Sequence, residues 1–300
     1  MPAPRPFDPS VPATADVALP SPTIAFPSSY LARIGRLRAR WRAARERREG
    51  AGRAHLAGVG DEFVGFRPYR PGDDPRGLDW NLLARFDEPY VRISRREASE
   101  RWTLVLDTSA SMGVGRPGKL QRAAEVALAI ASIGIAGRAS VQLSTTDGAR
   151  PLAIARPADL LRAMTSLERR RAAGRRGLAS WLQAGTRAGR LILLGDFLDL
   201  AATELRVGRG RELMALAFLA PEEFVPARAA LPGESAVWVD AESGERRTRT
   251  YDRASYERYE QALAQHLEAW RRAAVQRRAS FDCWSTEDAF ERVVERTLGF

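Results

Sequence analysis

From Arg101 onward the chain alternates between short apolar runs and longer stretches with helical spacing. Trp102-Thr-Leu-Val-Leu106 is a near-continuous apolar run that ends on Asp107, the pattern of a strand buried on both faces of a parallel sheet. Lys119 to Ile135 follows with Leu120, Ala124, Ala127, Ile130 and Ala131 on one helical face, and Ala139 to Ser144 reads as the next strand. The alternation predicts helices over Pro157 to Leu167 and Leu178 to Arg187, a buried strand over Arg190 to Gly195, a short helix near Thr203 and a strand over Leu213 to Leu219. Crossovers repeated in this way require a doubly wound, mostly parallel α/β sheet. Ala236 to Val239 and Arg246 to Tyr251 flank Asp240-Ala-Glu-Ser-Gly244 as a hairpin. A long helix over Asp252 to Arg278 carries Tyr256, Tyr259, Leu263, Leu267, Trp270 and Ala274 on one face, and a strand at Phe281 to Trp284 and a helix at Asp288 to Leu298 close the pattern.

Before Arg101 the pattern is different. Met1 to Ser29 is rich in Pro, Ala and Ser, without a basic start or a continuous apolar stretch, and reads as a disordered leader rather than a secretory signal. Tyr30 to Arg48 reads as a basic helix with Leu31, Ile34, Leu37 and Trp41 on one face. Gly58 to Arg96 is punctuated by Gly60, Pro68, Pro71, Gly72, Pro75 and Gly77, which predicts short strands and turns in a small β-rich annex. The expected organisation is a leader over 1–29, helix and annex over 30–100, and an α/β domain over 101–300.

Composition narrows the setting. The 45% hydrophobic content suffices for one large core, and the single cysteine, Cys283, excludes a disulfide framework and a cysteine-based metal site. The apolar stretch at Ala123 to Ala136 is interrupted by Glu125, Ser132 and Gly134, so no transmembrane helix is expected. The expected address is the cytoplasm of a bacterium, with peripheral contact at an inner membrane left open by the basic helix. A net charge of +10, carried almost wholly by arginine, suits phosphate, anionic lipid or an acidic protein, and equally an ordinary solvated surface.

The candidate chemistry sits at the end of the first α/β strand. Asp107-Thr-Ser-Ala-Ser111 places one carboxylate and two hydroxyls on a tight turn at the carboxyl edge of the sheet, where open α/β folds bind ligands. Oxygen donors of this kind suit Mg²⁺ or Mn²⁺. The strand Leu191 to Gly195 ends at Asp196, and in a parallel sheet its end shares that edge. The bland alternative is helix capping, with Asp107, Ser109 and Ser111 satisfying free backbone N–H groups.

Asp107, Ser109, Ser111 and Asp196 resemble the metal-ion-dependent adhesion site of the von Willebrand factor A and integrin inserted-domain fold. That resemblance implies a metal whose open coordination position is completed by a partner's acidic side chain, so that the output is binding. The family pattern also asks for a threonine from the loop that here reads Ala173-Gly-Arg-Arg-Gly-Leu-Ala-Ser180, and none stands there. Ser180, water, or arginine charge are the substitutes open to this chain, and Ser180 and Asp199 stand as additional candidate donors or supports.

A second resemblance covers about Gly58 to Asp199, with a looser likeness to the C-terminus. Gly60-Asp-Glu-Phe63, Arg67-Pro-Tyr-Arg-Pro-Gly-Asp-Asp-Pro-Arg76, Leu78-Asp-Trp80, Ala84-Arg85 and Tyr90-Val-Arg92 are similar to the signature of the domain of unknown function 58 family. The resemblance implies an annex placed before a von Willebrand A-like domain, in an accessory protein of a MoxR-type AAA+ ATPase that acts in maturation or chaperoning of protein complexes. Tyr69, Asp73, Asp74, Arg76, Asp79, Trp80 and Arg85 are the candidate partner-binding residues. The competing reading makes the charges among them an ion-pair network.

Other classes fare less well. A phosphatase with an aspartate nucleophile needs a second aspartate where Ser109 stands. The two histidines, His55 and His266, are expected away from the cation edge, which leaves serine chemistry without a base. No phosphate-binding Gly-x-x-x-x-Gly-Lys-Ser/Thr run exists. The chain is therefore expected to be no enzyme. The alternative is a nucleic-acid-binding protein using Arg169-Arg-Arg171, Arg175-Arg176 and Arg271-Arg272.

Overall fold

The computed structural model describes residues 24–50, 62–70, 78–95, 100–172, 177–179, 181, 189–208, 211–226 and 230–300. Its centre is a six-stranded sheet built from β3 (Arg101–Leu106), β4 (Ser140–Thr145), β5 (Leu152–Ile154), β6 (Gly189–Gly195), β7 (Arg211–Leu219) and β10 (Ser280–Ser285), in the order β10-β7-β6-β3-β4-β5. The first five strands in that order are parallel, and the edge strand β5 runs antiparallel to β4. Among the described residues two antiparallel pairs lie outside this sheet: β1 (Glu62–Pro68) with β2 (Tyr90–Arg95), and the hairpin of β8 (Ser235–Val239) with β9 (Arg246–Thr250).

The apolar strand runs serve two cores at once, because successive side chains on a strand point to opposite faces. Leu104, Leu106, Ile192 and Leu194 face one core, while Val105, Leu191 and Leu193 face the other. The first core is filled by helix α3 (Lys119–Ala136), buried along most of its length as its apolar composition requires, and covered by α1 (Tyr30–Gly50), α4 (Pro157–Glu168) and the C-terminal helix Phe290–Leu298. Gly134 permits the close approach of α3 to the sheet, since a Cβ there would stand 2.8 Å from both Trp102 and Val141. The second core is filled by the long helix Arg253–Gln276, through Leu263, Leu267, Trp270 and Ala274.

Several details depart from the sequence pattern. Ile24, read as leader, is buried in the first core, and the Phe26 ring lies 5.0 Å from that of Tyr30. On α1 the buried face is Tyr30, Ile34 and Leu37, with Trp41 packed beside them, whereas Leu31 is exposed. Tyr259 is likewise exposed although it falls in the stripe of the long helix. Within the annex, read as strands and turns, Trp80–Phe86 is a helix, α2. Asp79 starts it by accepting from the backbone N–H groups of Asn81 and Leu82, a local capping signal that overrode the turn residues around it. The edge strand β5 and the short helix α5 (Pro221–Phe224) carry too few residues for periodicity to reveal. The expected helix over Leu178 to Arg187 lies mostly outside the described residues.

Candidate metal centre

The chain leaves β3 toward β4 and β5 on one side, then returns to the other side of β3 as β6. The order of strands therefore reverses between β3 and β6, and open α/β sheets bind ligands at the carboxyl ends of the strands flanking such a point. Asp107 follows β3 and Asp196 follows β6, so both expected carboxylates stand at that crevice. Asp107 N donates to Leu194 O at 2.8 Å, which extends the strand pairing into the loop and fixes it beside its neighbour.

The loop is held tightly. Asp107 Oδ1 accepts from Ser109 N at 2.9 Å and from the Thr146 hydroxyl at 3.2 Å, while Thr108 N donates to that same Thr146 oxygen at 2.9 Å. Thr146, just past β4, thus orients Asp107 from the other side. Ser109 Oγ and Ser111 Oγ lie 3.1 Å apart, and Ser111 is near enough to Asp196 to help hold its carboxyl low. Asp107, Ser109 and Ser111 are linked within the loop, and Asp196 stands at the end of the neighbouring strand on the same edge. Gly195 leaves the space they need, because a Cβ there would stand 2.6 Å from Leu178 and 3.0 Å from the Asp107 Cβ.

The electrostatics are asymmetric. Burial pushes the Asp107 carboxyl up to about 6, and the nearby Asp196 charge acts in the same direction. Burial would raise Asp196 too, yet the Lys119 ammonium, 2.9 Å from its Oδ2, holds it below the ordinary carboxylate range. Lys119 is wholly buried, and its second partner is Glu223 Oε1 at 2.6 Å. Burial works against the charge of Lys119, but the two carboxylates outweigh it and raise its pKa. Glu223 comes from α5, which follows β7, so three adjacent strand ends supply acids to one edge. At the rim Asp199 is exposed, its carboxyl raised by partial burial and then by the charges of Asp196 and Glu242.

The two serine hydroxyls have the spacing a magnesium-like ion would ask of adjacent donors. Two hydroxyl oxygens 3.1 Å apart match the edge of an octahedron with metal–oxygen distances near 2.1 Å, roughly 2.9 Å. Asp107 offers a buried carboxylate whose charge no described basic side chain neutralises at contact distance. Among the described residues no three His, Cys, Asp or Glu side chains form a metal-binding group by themselves, so the set depends on its serines. Ser180 lies outside the described residues, as does most of the loop in which a threonine was sought.

Lys119, Glu223, Thr146 and Glu242 were not found from the sequence. Lys119 is the only lysine in it, every other residue among the 47 Lys+Arg being arginine, and that singularity was the available signal. His266, expected away from this edge, reaches it: its Nε2 lies 2.9 Å from the Phe197 carbonyl, directly after Asp196.

The annex residues divide differently. Asp79 is occupied as the cap of α2. Trp80 is 67% exposed, Arg85 is exposed, and Tyr69 is half-buried. Asp73, Asp74 and Arg76 lie outside the described residues. Of the arginine clusters, Arg170 is paired with Asp147 and Arg271 with Glu268, and Arg175-Arg176 lies outside the described residues. No described helix is long and apolar enough to cross a membrane.

Known proteins place the chain as follows. It is 32% identical over 232 residues, 70% of this chain and 70% of theirs, to uncharacterized proteins of Mycobacterium bovis and of two Mycobacterium tuberculosis strains. No solved structure matches it. Residues 65–269 match the model of the family described as protein of unknown function DUF58, and with more than half of its length covered the chain belongs to that family.

Proposed function

We propose that the chain is a von Willebrand factor A-like interaction module that holds Mg²⁺ or Mn²⁺ at Asp107, Ser109, Ser111 and Asp196. It offers this site to an acidic side chain of a partner protein without breaking bonds itself. The observation that carries the reading is the pair of Ser109 and Ser111 hydroxyls, 3.1 Å apart, beside a buried Asp107 at the strand edge it shares with Asp196. Capping alone would need neither Asp196 nor the space kept by Gly195. When bound, the cation supplies the positive charge that buried Asp107 lacks and a Lewis-acidic contact for an incoming carboxylate. The protein's own part is to orient the oxygens through Thr146 and Ser109 N.

The accessory role beside a MoxR-type AAA+ ATPase rests on the annex signature, and exposed Trp80 gives that surface an aromatic anchor of the kind that dominates binding interfaces. Capture of partners from a native lysate, with and without chelator, using wild type, Asp107→Ala and Trp80→Ala, tests both parts. The expected result is loss of an acidic client on chelation or with Asp107→Ala, and loss of an ATPase with Trp80→Ala. A partner set indifferent to chelator and to Asp107→Ala overturns the cation mechanism, which calorimetric titration with Mg²⁺ checks directly.

A further inference from the structure

The hairpin β8–β9 has no place in the central sheet, yet its tip returns to the cation loop. Ser111 N donates to Glu242 Oε1 at 2.9 Å, across 131 residues of chain. The tip is shaped for this. Asp240 Oδ1 accepts from Glu242 N and Ser243 N at 2.9 and 2.7 Å, Gly244 N closes the turn onto Asp240 O at 2.8 Å, and Gly244 takes the left-handed conformation that glycine tolerates. Glu242 therefore stands at the end of a defined turn.

The strands of the hairpin are anchored elsewhere, Trp238 standing opposite Arg247 one step before the turn. Trp238 and Tyr251 meet edge to face at 5.4 Å, Tyr251 lies 6.2 Å from Tyr256 on the long helix, and the Tyr256 hydroxyl donates to Ala230 O. All of β9 is exposed, including Arg246, Arg247 and Arg249. Strands fixed by aromatic rings and a turn held by an exposed carboxylate allow the turn to lift without unfolding the core.

We infer that Glu242 is the chain's own ligand at the Asp107 loop, occupying in cis the face that a partner's carboxylate would take, so that a partner must displace the hairpin tip to bind. The inference rests on the reading of that loop as a cation site, and it deepens it. The site is closed to weak acidic encounters and opens to a partner whose carboxylate, presented on a turn of comparable shape, outcompetes Glu242. Linkage makes the same relation work in reverse, since a cation at the loop favours the closed tip.

The test uses the full chain, with Mn²⁺ alone as the probe, in three forms: wild type, Glu242→Gln and Asp107→Asn. Mn²⁺ affinity is read by calorimetry, and hairpin closure by hydrogen exchange over residues 235–250 and by tryptic cleavage at Arg246, Arg247 and Arg249. In wild type Mn²⁺ is expected to slow cleavage of the hairpin about tenfold, the ratio one charge-assisted hydrogen bond supports. Glu242→Gln should still bind Mn²⁺, more weakly, and its hairpin should exchange and cleave at the same rate with or without the ion. If wild type and Glu242→Gln bind Mn²⁺ equally and their hairpins respond alike, this inference fails while the cation reading stands. If wild type binds no Mn²⁺, the cation reading fails and takes this inference with it.

Discussion

The Lys119 ammonium lies 2.9 Å from Asp196 Oδ2 with neither side chain open to solvent beyond 3%. One of the two carboxylates at the crevice thus carries its own counter-charge while Asp107 does not. Removing Lys119 leaves Asp196 and Glu223 buried without a cation, and breaking a buried pair in this way costs about 3–5 kcal/mol. Lys119→Met is therefore expected to lower the denaturation midpoint sharply in chelator, with millimolar Mg²⁺ restoring part of the loss. Lys119→Arg should also destabilise, by about 1–3 kcal/mol, because a planar guanidinium must fit where a fully buried ammonium meets two acids. A Lys119→Met protein as stable as wild type would show that the pair does not hold the Asp196 loop.

Asp107 gives a pH dependence of opposite sense to that of a paired acid. Its carboxyl is pushed up to about 6 in the fold from an ordinary 3.8, so the folded state binds more protons than the unfolded chain between those values. Stability contributed by this group falls as pH rises from about 4 to 6, and above that the buried charge costs about 3 kcal/mol. Without divalent ions Asp107→Asn should melt higher than wild type at neutral pH, and the difference should vanish near pH 4. Mg²⁺ at neutral pH should stabilise wild type and leave Asp107→Asn unchanged. Melting curves at both pH values, with and without Mg²⁺, decide it.

Strand ends were legible in the sequence where apolar runs stop on a carboxylate. Leu106-Asp107 and Gly195-Asp196 announced both their strands and their shared edge, because parallel strands present their carboxyl ends together. Glu223 and Glu242 were hidden by their distance along the chain, since nothing in a local pattern says that α5 or a hairpin tip will come back to β3. Lys119 was hidden by its position at the start of a helix, where a basic residue usually looks outward. Leu31 and Tyr259 failed in the other direction: spacing places a residue on a face, but packing decides how wide the buried part of that face is.

Gly195 tests whether the crevice is built to size. An added Cβ would stand 2.6 Å from Leu178, 3.0 Å from Asp107 Cβ and 3.1 Å from Asp107 Oδ2. Asp107 is tied to backbone and Thr146 and cannot retreat easily. Gly195→Ala is expected to cost about 1–3 kcal/mol by overpacking. Because the clash falls on the carboxylate itself, its response to Mg²⁺ should shrink by more than its stability does. A variant that loses stability but keeps the wild-type Mg²⁺ shift would remove Gly195 from the site.

The residue after Asp196 is held in an unusual backbone conformation. Phe197 has a φ of 59°, a left-handed conformation that an aromatic residue adopts only when its surroundings impose it. Here its ring is buried between Trp270 at 5.2 Å and Phe281 at 5.8 Å, and its carbonyl accepts from His266 Nε2 at 2.9 Å. A carbonyl can only accept, so His266 must carry its proton on Nε2. His266→Ala removes that restraint, with a stability loss of about 1 kcal/mol, and frees the Phe197–Leu198 peptide, whose N–H donates to Asp196 Oδ1 at 3.3 Å. Mn²⁺ affinity should then fall by up to about tenfold, the factor such an energy supports. His266→Gln, whose amide N–H can reach the same oxygen, should recover most of it. Equal Mn²⁺ affinity in wild type and His266→Ala would mean that Phe197 is held by its ring alone, and that the long helix packs beneath the crevice without steering it.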